Sequence, residues 1–247
     1  MSKGSVTLTT DENGLATIEF YHPMSNSLPG EILSQLANTI TAAGKEDHIK
    51  LILLQSSGDR TFCAGASFEE LSNIKNFQEG KKFFMGFANV INAARKCPKL
   101  IIGRVQGKAV GGGVGMASAV DYCIATKYAS VKLSELALGI GPFVVGPAVE
   151  RKIGTSAMST MAINATKWYS AEWAKTKGLY AEVFEDSKEM DEHINKLSLQ
   201  LANSNPEATK ALKEIFWEGT ENWDELLDIR AAISGKLILS TYSSEAI

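Results

Sequence analysis

The amino-acid sequence predicts an α/β fold followed by a helical C-terminal region. Strand-like and helix-like segments alternate through the first half of the chain, a pattern typical of α/β proteins. The continuous apolar run Leu51–Leu54 indicates a strand that is buried on both faces, as parallel strands usually are, and Leu100–Val105 is predicted as a second buried strand. In the last third of the chain, apolar residues recur instead at helical spacing.

The first predicted elements are a β-hairpin and a helix. The β-rich runs Ser5–Thr10 and Leu15–Phe20 flank Asn13-Gly14, and an Asn-Gly step between two such runs is a strong hairpin signal. Apolar residues at helical spacing then predict a helix over Glu31–Ala43, directly before a glycine that is a natural helix end.

Each predicted buried strand is followed by a loop rich in small residues. Thr61–Ser67 follows the first strand, and Gly111–Gly113 follows the second. A helix is predicted between the two loops over Gln78–Lys96, and the apolar run Val114–Val120 is typical of a buried helix. Tyr122–Thr126 is predicted as a third short strand.

Helices are predicted for most of the remaining chain. They cover Ser156–Asn164, Ala171–Lys177, Lys188–Leu201, Glu207–Trp217 and Trp223–Leu239. We therefore expect a core of residues 1–195 and a C-terminal helical region of residues 196–247 that serves packing or assembly.

The composition is that of a globular protein without an electrostatic signature. The 247 residues carry a net charge of −3 and are 45% hydrophobic, so no basic surface for nucleic acid is expected. No run reaches the ~18 apolar residues of a membrane span, and Met1–Thr10 lacks a signal-peptide pattern. Cys63, Cys97 and Cys123 do not form a disulfide pattern. These features predict a cytoplasmic protein.

Several familiar catalytic motifs are absent from the sequence. There is no Gly-x-Ser-x-Gly elbow, no Walker phosphate loop and no His-Glu-x-x-His pair. The glycine cluster after Val110 is out of register with Gly-x-Gly-x-x-Gly. His22, His48 and His193 are widely spaced, so no histidine metal site is predicted.

The two small-residue loops are candidates for binding a ligand through their backbone. Small residues let a ligand approach the main chain closely. A helix that begins after Gly112 would present free N–H groups and the positive end of its dipole. Two such N–H groups can form an oxyanion hole. Tight backbone packing without a ligand is the alternative interpretation.

Glu135 is the candidate acid–base residue. It lies in the leucine-rich segment Leu133–Gly139, where desolvation would raise the pKa of its carboxyl group. A carboxyl group with a pKa near neutrality is a competent proton shuttle. The alternative is a buried ion pair, for example with Arg151.

Several segments follow one another along the chain in a recognisable order: His22-Pro23, Asn26-Ser27-Leu28, Phe62–Ala66, Pro98–Gly107, Gly111–Gly113, Asp121 and Ser170–Leu179. Together they resemble the crotonase, or enoyl-CoA hydratase/isomerase, family over roughly residues 5–215. The resemblance implies a crotonase-like spiral of ββα units with a C-terminal helical trimerisation region. It also implies a homotrimer or a dimer of trimers.

The resemblance implies an acyl-CoA thioester as substrate and no metal or redox cofactor. It assigns an oxyanion hole to the backbone N–H groups of Ala66 and Gly112. It implies no nucleic-acid or membrane partner. By position, the substrate-binding residues would be Asn26, Ser27, Leu28, Ala64, Gly65, Ser67, Gly111, Gly113, Leu138 and Phe143.

One departure from the family pattern bears on the reaction. Hydratases of this family carry two glutamates, and the positions that match them here hold Gly115 and Glu135. A single carboxylate suffices to move a double bond, and the segment after Leu133 is similar to the base-bearing segment of Δ3,Δ2-enoyl-CoA isomerases. We therefore expect an isomerase with Glu135 as the proton shuttle.

Two other functions stay open at this point. A hydratase or decarboxylase for a branched or carboxylated acyl-CoA could recruit Ser67, Glu69 or Glu70. A non-catalytic acyl-CoA-binding subunit is the third candidate. The apolar residues Phe83, Phe84, Met85 and Phe87 are candidates for an acyl pocket, although helical spacing is more often that of a core.

Overall fold

Strands and helices alternate along the computed structural model, which describes residues 4–247. In chain order the strands are β1 (Ser5–Thr10), β2 (Leu15–Tyr21), β3 (Ser27–Leu28), β4 (Leu51–Ser56), β5 (Thr61–Cys63), β6 (Gly65–Ala66), β7 (Leu100–Val105), β8 (Lys108–Val110), β9 (Tyr122–Thr126), β10 (Val131–Lys132) and β11 (Glu182–Phe184). The α-helices are α1 (Gly30–Lys45), α2 (Phe68–Ser72), α3 (Phe77–Lys96), α4 (Gly112–Ala119), α5 (Gly146–Ile163), α6 (Ala171–Thr176), α7 (Ser187–Ala202), α8 (Pro206–Phe216), α9 (Trp223–Leu237) and α10 (Thr241–Ala246). A 3-10 helix covers Glu135–Leu138. Residues 1–3 lie outside the described residues. They belong to the predicted core and to the N-terminal segment in which no signal-peptide pattern was found.

A six-stranded sheet with the order β1-β2-β4-β7-β9-β11 runs through the protein. The β1–β2 pair is antiparallel, and every other neighbouring pair is parallel. The predicted hairpin and the predicted parallel strands are therefore confirmed. Together with two smaller sheets, β10-β8-β5 and β3-β6, this arrangement is the spiral of ββα units expected from the family resemblance.

Helices cover both faces of this sheet, which explains why β4 begins with a continuous run of apolar residues. Ile52 and Leu54 of β4 belong to the main core, which α1 and α3 complete. Leu51 and Leu53 point to the opposite face and pack with Met190 of α7. Because successive side chains of a strand alternate between faces, both faces must be apolar here.

The small sheets position the candidate site. Thr61–Ser67 is predicted as a loop, but the structure places β5 and β6 within it. β5 pairs with β8, and β6 pairs with β3. These strands have only two or three residues, too few for a period-2 pattern to reveal them. They bring the end of the first small-residue loop beside the start of the second.

The helix predicted to begin at Ser156 begins instead at Gly146. Its first turn contains Pro147, and Gly154 interrupts it with a left-handed φ of 74°. Glycine and proline at these positions weaken a helix prediction, since both are normally helix breakers. Strand β11 is also absent from the prediction, because its three residues are too few to show a pattern.

The C-terminal helices pack against the main core. Trp217, Trp223 and Leu227 are buried members of the same hydrophobic cluster as the sheet residues. The predicted division between residues 195 and 196 falls inside α7. No helix within residues 4–247 combines the length and the apolar character that crossing a bilayer requires.

A buried ion pair ties α8 to the sheet. Lys213 Nζ lies 2.7 Å from Asp121 Oδ2, and the two side chains are 2% and 4% exposed. The Asp121 carboxylate also accepts hydrogen bonds from Trp217 Nε1 and from the Ile101 backbone N–H, both at 2.7 Å. Lys213 donates a further bond to Ala94 O at 2.9 Å. Every charged atom of the pair is thus partnered, as a buried ion pair requires.

Lys213→Met is expected to lower the free energy of unfolding by about 3–5 kcal/mol, because it leaves the buried Asp121 carboxylate without a countercharge. Urea unfolding followed by circular dichroism measures the difference. Lys210→Met, at an exposed position on the same helix, is the matched control. Equal losses for the two variants would contradict a structural role for the ion pair.

Candidate active site

A cleft of about 890 Å³ lies where the small-residue loops, α3 and the Glu135 segment meet. Most of its lining is apolar, including Phe83, Phe84 and Phe87 of α3. These three positions therefore match the predicted acyl pocket, whereas Met85 packs against the main core. Among residues 4–247, no group of three or more His, Cys, Asp or Glu side chains is arranged to hold a metal ion.

The two small-residue loops are in direct backbone contact beside the cleft. A Cβ placed on Gly65 would lie 3.2 Å from Val110 O and 3.8 Å from Gly112 N. A Cβ on Gly113 would lie 2.5 Å from Cys63 O, closer than real Cβ contacts. Glycine is therefore required where the second loop crosses the first.

The second loop ends at the first residue of α4, Gly112. The N–H groups in the first turn of a helix have no partner within the helix, and the positive end of the helix dipole lies there. A Cβ on Gly112 would overlap the ring of Phe87. Ala66 of β6 lines the cleft together with Gly112. The start of α4, where free N–H groups favour an anion, and the Ala66 segment thus face one cavity.

Glu135 faces the second loop from the first residue of the 3-10 helix. A Cβ on Gly111 would lie 2.9 Å from Glu135 Oε1, so glycine leaves the room that the carboxylate occupies. Oε2 is buried and has no hydrogen-bond partner in the described part of the chain. Arg151, the ion-pair partner considered from the sequence, lies instead over the ring of Trp217 at 4.5 Å.

Burial raises the pKa of Glu135 to about 7, from an ordinary value of 4.5. The opposing influence is smaller and comes from the backbone N–H groups of Glu135 and Ser134, which favour the ionised form. A carboxyl group that titrates near neutrality can both accept and return a proton.

Val145 fills the space beside Gly115. A Cβ on Gly115 would lie 2.5 Å from Val145 Cγ1 and 2.8 Å from Val145 Cβ. Val145 is 4% exposed and lines the cleft. A glutamate at position 115 would therefore clash with Val145. The apolar side chain of Val145 occupies the space that a carboxylate at position 115 would need.

The three residues considered as substitutes for that carboxylate have different surroundings. Ser67 Oγ caps α2 by accepting from the Glu70 N–H at 3.3 Å. Glu70 Oε2 accepts from the Gly30 N–H at 2.9 Å. Glu69 lines the cleft but is exposed to solvent. Glu135 is consequently the buried carboxylate of this cleft.

Most of the predicted site residues line one cavity. They are Ser27, Ala64, Gly65, Ala66, Ser67, Gly111, Gly112, Glu135, Leu138 and Phe143. Asn26, Leu28 and Gly113 lie behind this lining. Leu28 is fully buried in the core, and Gly113 packs on Cys63 as described above.

Asn26 anchors the first loop through hydrogen bonds to its backbone. Its backbone adopts a left-handed φ of 55°. Its Oδ1 accepts from the His22 N–H at 2.8 Å, and its Nδ2 donates to Ser57 O and Thr61 O at 3.0 Å. All its side-chain polar atoms are used within the protein, so in this structure it holds the loop rather than facing the cleft.

Sequence reasoning missed several residues of the cleft lining, among them Val145 and Ser234. Val145 reaches the cleft at the start of α5, and Ser234 reaches it from α9. Neither position carries a motif, since a valine and a helical serine are ordinary at any place in a chain. Their role emerges only from tertiary packing.

The sequence as a whole matches a known family. A profile described as "Enoyl-CoA hydratase/isomerase" covers residues 10–243. The chain belongs to the enoyl-CoA hydratase/isomerase family. The family resemblance inferred from the sequence segments is thereby confirmed.

Curated relatives of this hydratase/isomerase family member have more than one activity. A "Probable enoyl-CoA hydratase" of Bacillus subtilis (strain 168) is 26% identical over 98% of this chain and 94% of that protein. A trans-2-decenoyl-(acyl-carrier-protein) isomerase of Streptococcus mutans is 23% identical over 96% of this chain and 91% of that protein. Membership of the family thus leaves the reaction open.

Solved structures support the same fold. The crystal structure of an enoyl-CoA hydratase from Bacillus halodurans superposes with a TM-score of 0.89 and covers 98% of each chain. The identity between the two sequences is 22%, so the similarity concerns the fold alone.

The raised pKa of Glu135 predicts a pH-dependent stability. The folded protein binds this proton more tightly than the unfolded chain does, so the free energy of unfolding falls as the pH rises from about 4.5 to about 7. In Glu135→Gln the free energy of unfolding no longer depends on this proton. The difference in free energy of unfolding between the variant and wild type is therefore expected to shift in favour of the variant by up to about 3 kcal/mol over that pH range, since one pKa unit corresponds to ~1.4 kcal/mol.

Urea unfolding of both proteins at about pH 5 and about pH 7.5 measures this change. Glu172→Gln, an exposed carboxylate on α6, is the control and should follow wild type. A stability difference between Glu135→Gln and wild type that does not change with pH would contradict a buried, proton-binding Glu135.

Proposed function

We propose that this protein moves the double bond of an enoyl-CoA from the 3,4 to the 2,3 position. The observation that carries the proposal is a single buried carboxylate, Glu135, opposite two backbone anion-stabilising segments, with Val145 filling the space beside Gly115. Isomerisation needs one proton carrier and no added water, whereas hydration needs groups that hold and activate water.

The reaction begins with the ionised carboxylate of Glu135, which takes a proton from C2 of the thioester. The C–H electron pair forms a C1–C2 double bond, and the negative charge moves to the thioester oxygen. The N–H groups of Ala66 and Gly112 hold this oxygen as an oxyanion hole. Each such donor is worth roughly 10²–10³-fold in rate in comparable sites.

Return of the proton completes the cycle. Glu135 delivers the proton to C4, where the C3–C4 π pair forms the new C–H bond. The C1–C2 double bond of the enolate shifts to C2–C3, and the oxygen re-forms the thioester carbonyl. The carboxylate is then ionised again, so no other reactant is consumed. A pKa of about 7 suits both halves of this cycle, because neither protonation state of the carboxyl group is strongly disfavoured near neutral pH.

Glu135→Gln is expected to lower kcat/KM for a 3-enoyl-CoA by roughly 10²–10⁴-fold, the usual contribution of general acid–base catalysis. The assay follows conversion of 3-enoyl-CoA to 2-enoyl-CoA by chromatography and mass spectrometry in heavy-oxygen water. Glu172→Gln, remote from the cleft, is expected to keep the wild-type rate. Full activity of Glu135→Gln would overturn the role of Glu135.

The same assay separates the competing functions. Isomerisation without incorporation of heavy oxygen supports the proposal. Heavy oxygen in a 3-hydroxyacyl product from a 2-enoyl-CoA would identify a hydratase and direct attention to Glu69. Tight thioester binding without turnover of either substrate would identify a non-catalytic acyl-CoA-binding subunit.

We also propose that the C-terminal helices assemble the protein into a homotrimer or a dimer of trimers. Large apolar side chains on α8 and α9 are exposed in the single chain. They are Leu212, Ile215, Phe216, Ile229 and Ile233. Exposed apolar groups on neighbouring helices favour association.

Light scattering coupled to gel filtration is expected to give three or six times the mass of the chain. Ile215→Lys is expected to shift this mass towards that of the single chain, since a charge would enter the apolar contact. Lys210→Met on the same helix is the control. A wild-type protein that elutes as a single chain would contradict the assembly.

A further inference from the structure

A buried hydroxyl group interrupts the apolar wall of the cleft. Ser234 of α9 is 1% exposed and lines the cleft, and its Oγ has no hydrogen-bond partner within residues 4–247. A helical serine commonly donates to the carbonyl four residues earlier, as Ser118 Oγ does to Val114 O at 2.8 Å. Ser234 lacks this bond, so one donor and its acceptor sites remain unused beside the cavity.

The position of Ser234 is held by a close helix crossing. A Cβ on Gly80 of α3 would lie 2.8 Å from Gly235 O, and a Cβ on Gly235 would lie 2.5 Å from Lys81 N. The two backbones are therefore in contact next to Ser234. An ion pair between Lys81 Nζ and Asp228 Oδ1 at 2.8 Å joins the same two helices.

The length of α3 between Gly80 and Phe87 shows how far Ser234 lies from Gly112 within the cleft. The ring of Phe87 lies against Gly112, one of the two oxyanion positions. Gly80 precedes Phe87 by seven residues on the same helix, which corresponds to about 10 Å along the helix axis. Phe83 and Phe84 line the cleft between these points. Ser234 consequently lies in the part of the cleft away from Gly112, where the distal part of an acyl chain would lie if the thioester carbonyl is bound at Gly112.

The charges of the lining restrict what this hydroxyl can recognise. No lysine or arginine belongs to the cleft lining within the residues that the structure describes. A carboxylate on the acyl chain would enter an apolar wall without a countercharge, which is strongly unfavourable. A neutral oxygen, as in a hydroxyl or ketone group, needs only the hydrogen bond that Ser234 offers.

We propose that Ser234 selects acyl thioesters that carry a hydroxyl or ketone oxygen on the distal part of the acyl chain. This inference rests on the proposed function, in that the cleft receives an acyl-CoA. A polar group buried in a binding site discriminates against a ligand that leaves it unpaired, and this discrimination exceeds that from a change in apolar contact.

The test compares the binding of unreactive, saturated thioesters by titration calorimetry. Octanoyl-CoA is set against a positional series of hydroxy-octanoyl-CoA compounds and the corresponding ketones. Wild type is expected to bind at least one oxygenated isomer more tightly than octanoyl-CoA. Ser234→Ala is expected to reduce that preference by roughly 2- to 10-fold, the range for one neutral hydrogen bond.

Ser198→Ala is the matched control. Ser198 is also a buried helical serine with an unpaired Oγ, but it does not line the cleft. This variant should keep the wild-type preference. Thermal unfolding of both variants shows that they are folded, and Ser234→Cys, which keeps the size but weakens the donor, should behave like Ser234→Ala.

Two results would overturn the inference. One is equal binding of octanoyl-CoA and all its oxygenated analogues to wild type, and the other is a preference that Ser234→Ala leaves intact. Because saturated thioesters cannot isomerise, the binding result does not depend on turnover. Absence of isomerase activity together with a preference that depends on Ser234 would remove the proposed reaction and leave this inference standing.

Discussion

The backbone contact between the two small-residue loops is the constraint on which the rest of the site depends. A Cβ on Gly113 would lie 2.5 Å from Cys63 O, which excludes any other residue there, and Gly65 has a φ of 94° with Val110 O close by. The parallel pairing of β5 with β8 holds the loops at this separation. Because the proposed hydrogen-bond donors belong to the backbone of a short strand and of a helix start, their positions follow from the fold and require no side-chain ordering.

Two opposite electrostatic environments meet in this cleft. At the start of α4, free N–H groups and the helix dipole favour negative charge on a ligand oxygen. A short distance away, Glu135 has a buried carboxylate oxygen without a partner, so its own negative charge is disfavoured. This difference favours transfer of a proton from a ligand to Glu135, because the carboxylate becomes neutral while the ligand becomes anionic. A cation paired with Glu135 would stabilise the ionised carboxylate and remove this preference.

Local sequence signals predict much of the fold and most of the residues that line the cleft, but not the packing around them. The hairpin at Asn13-Gly14, the buried strands and both small-residue loops follow from patterns within a few residues. The start of α5 does not, because Gly154 interrupts its pattern. Val145 and Ser234 line the same cleft as the loops although they lie far from them along the chain, and only tertiary contacts bring them there.

The exchange of volume between Gly115 and Val145 has a consequence for how activities diverge from this scaffold. A glutamate introduced at position 115 would collide with Val145, and a smaller residue introduced first at position 145 would leave an empty space in the wall. Each single step is disfavoured, and only the pair restores a filled cleft. Substitutions at positions 115 and 145 are therefore expected to be epistatic, since a carboxylate side chain at position 115 needs a smaller side chain at position 145.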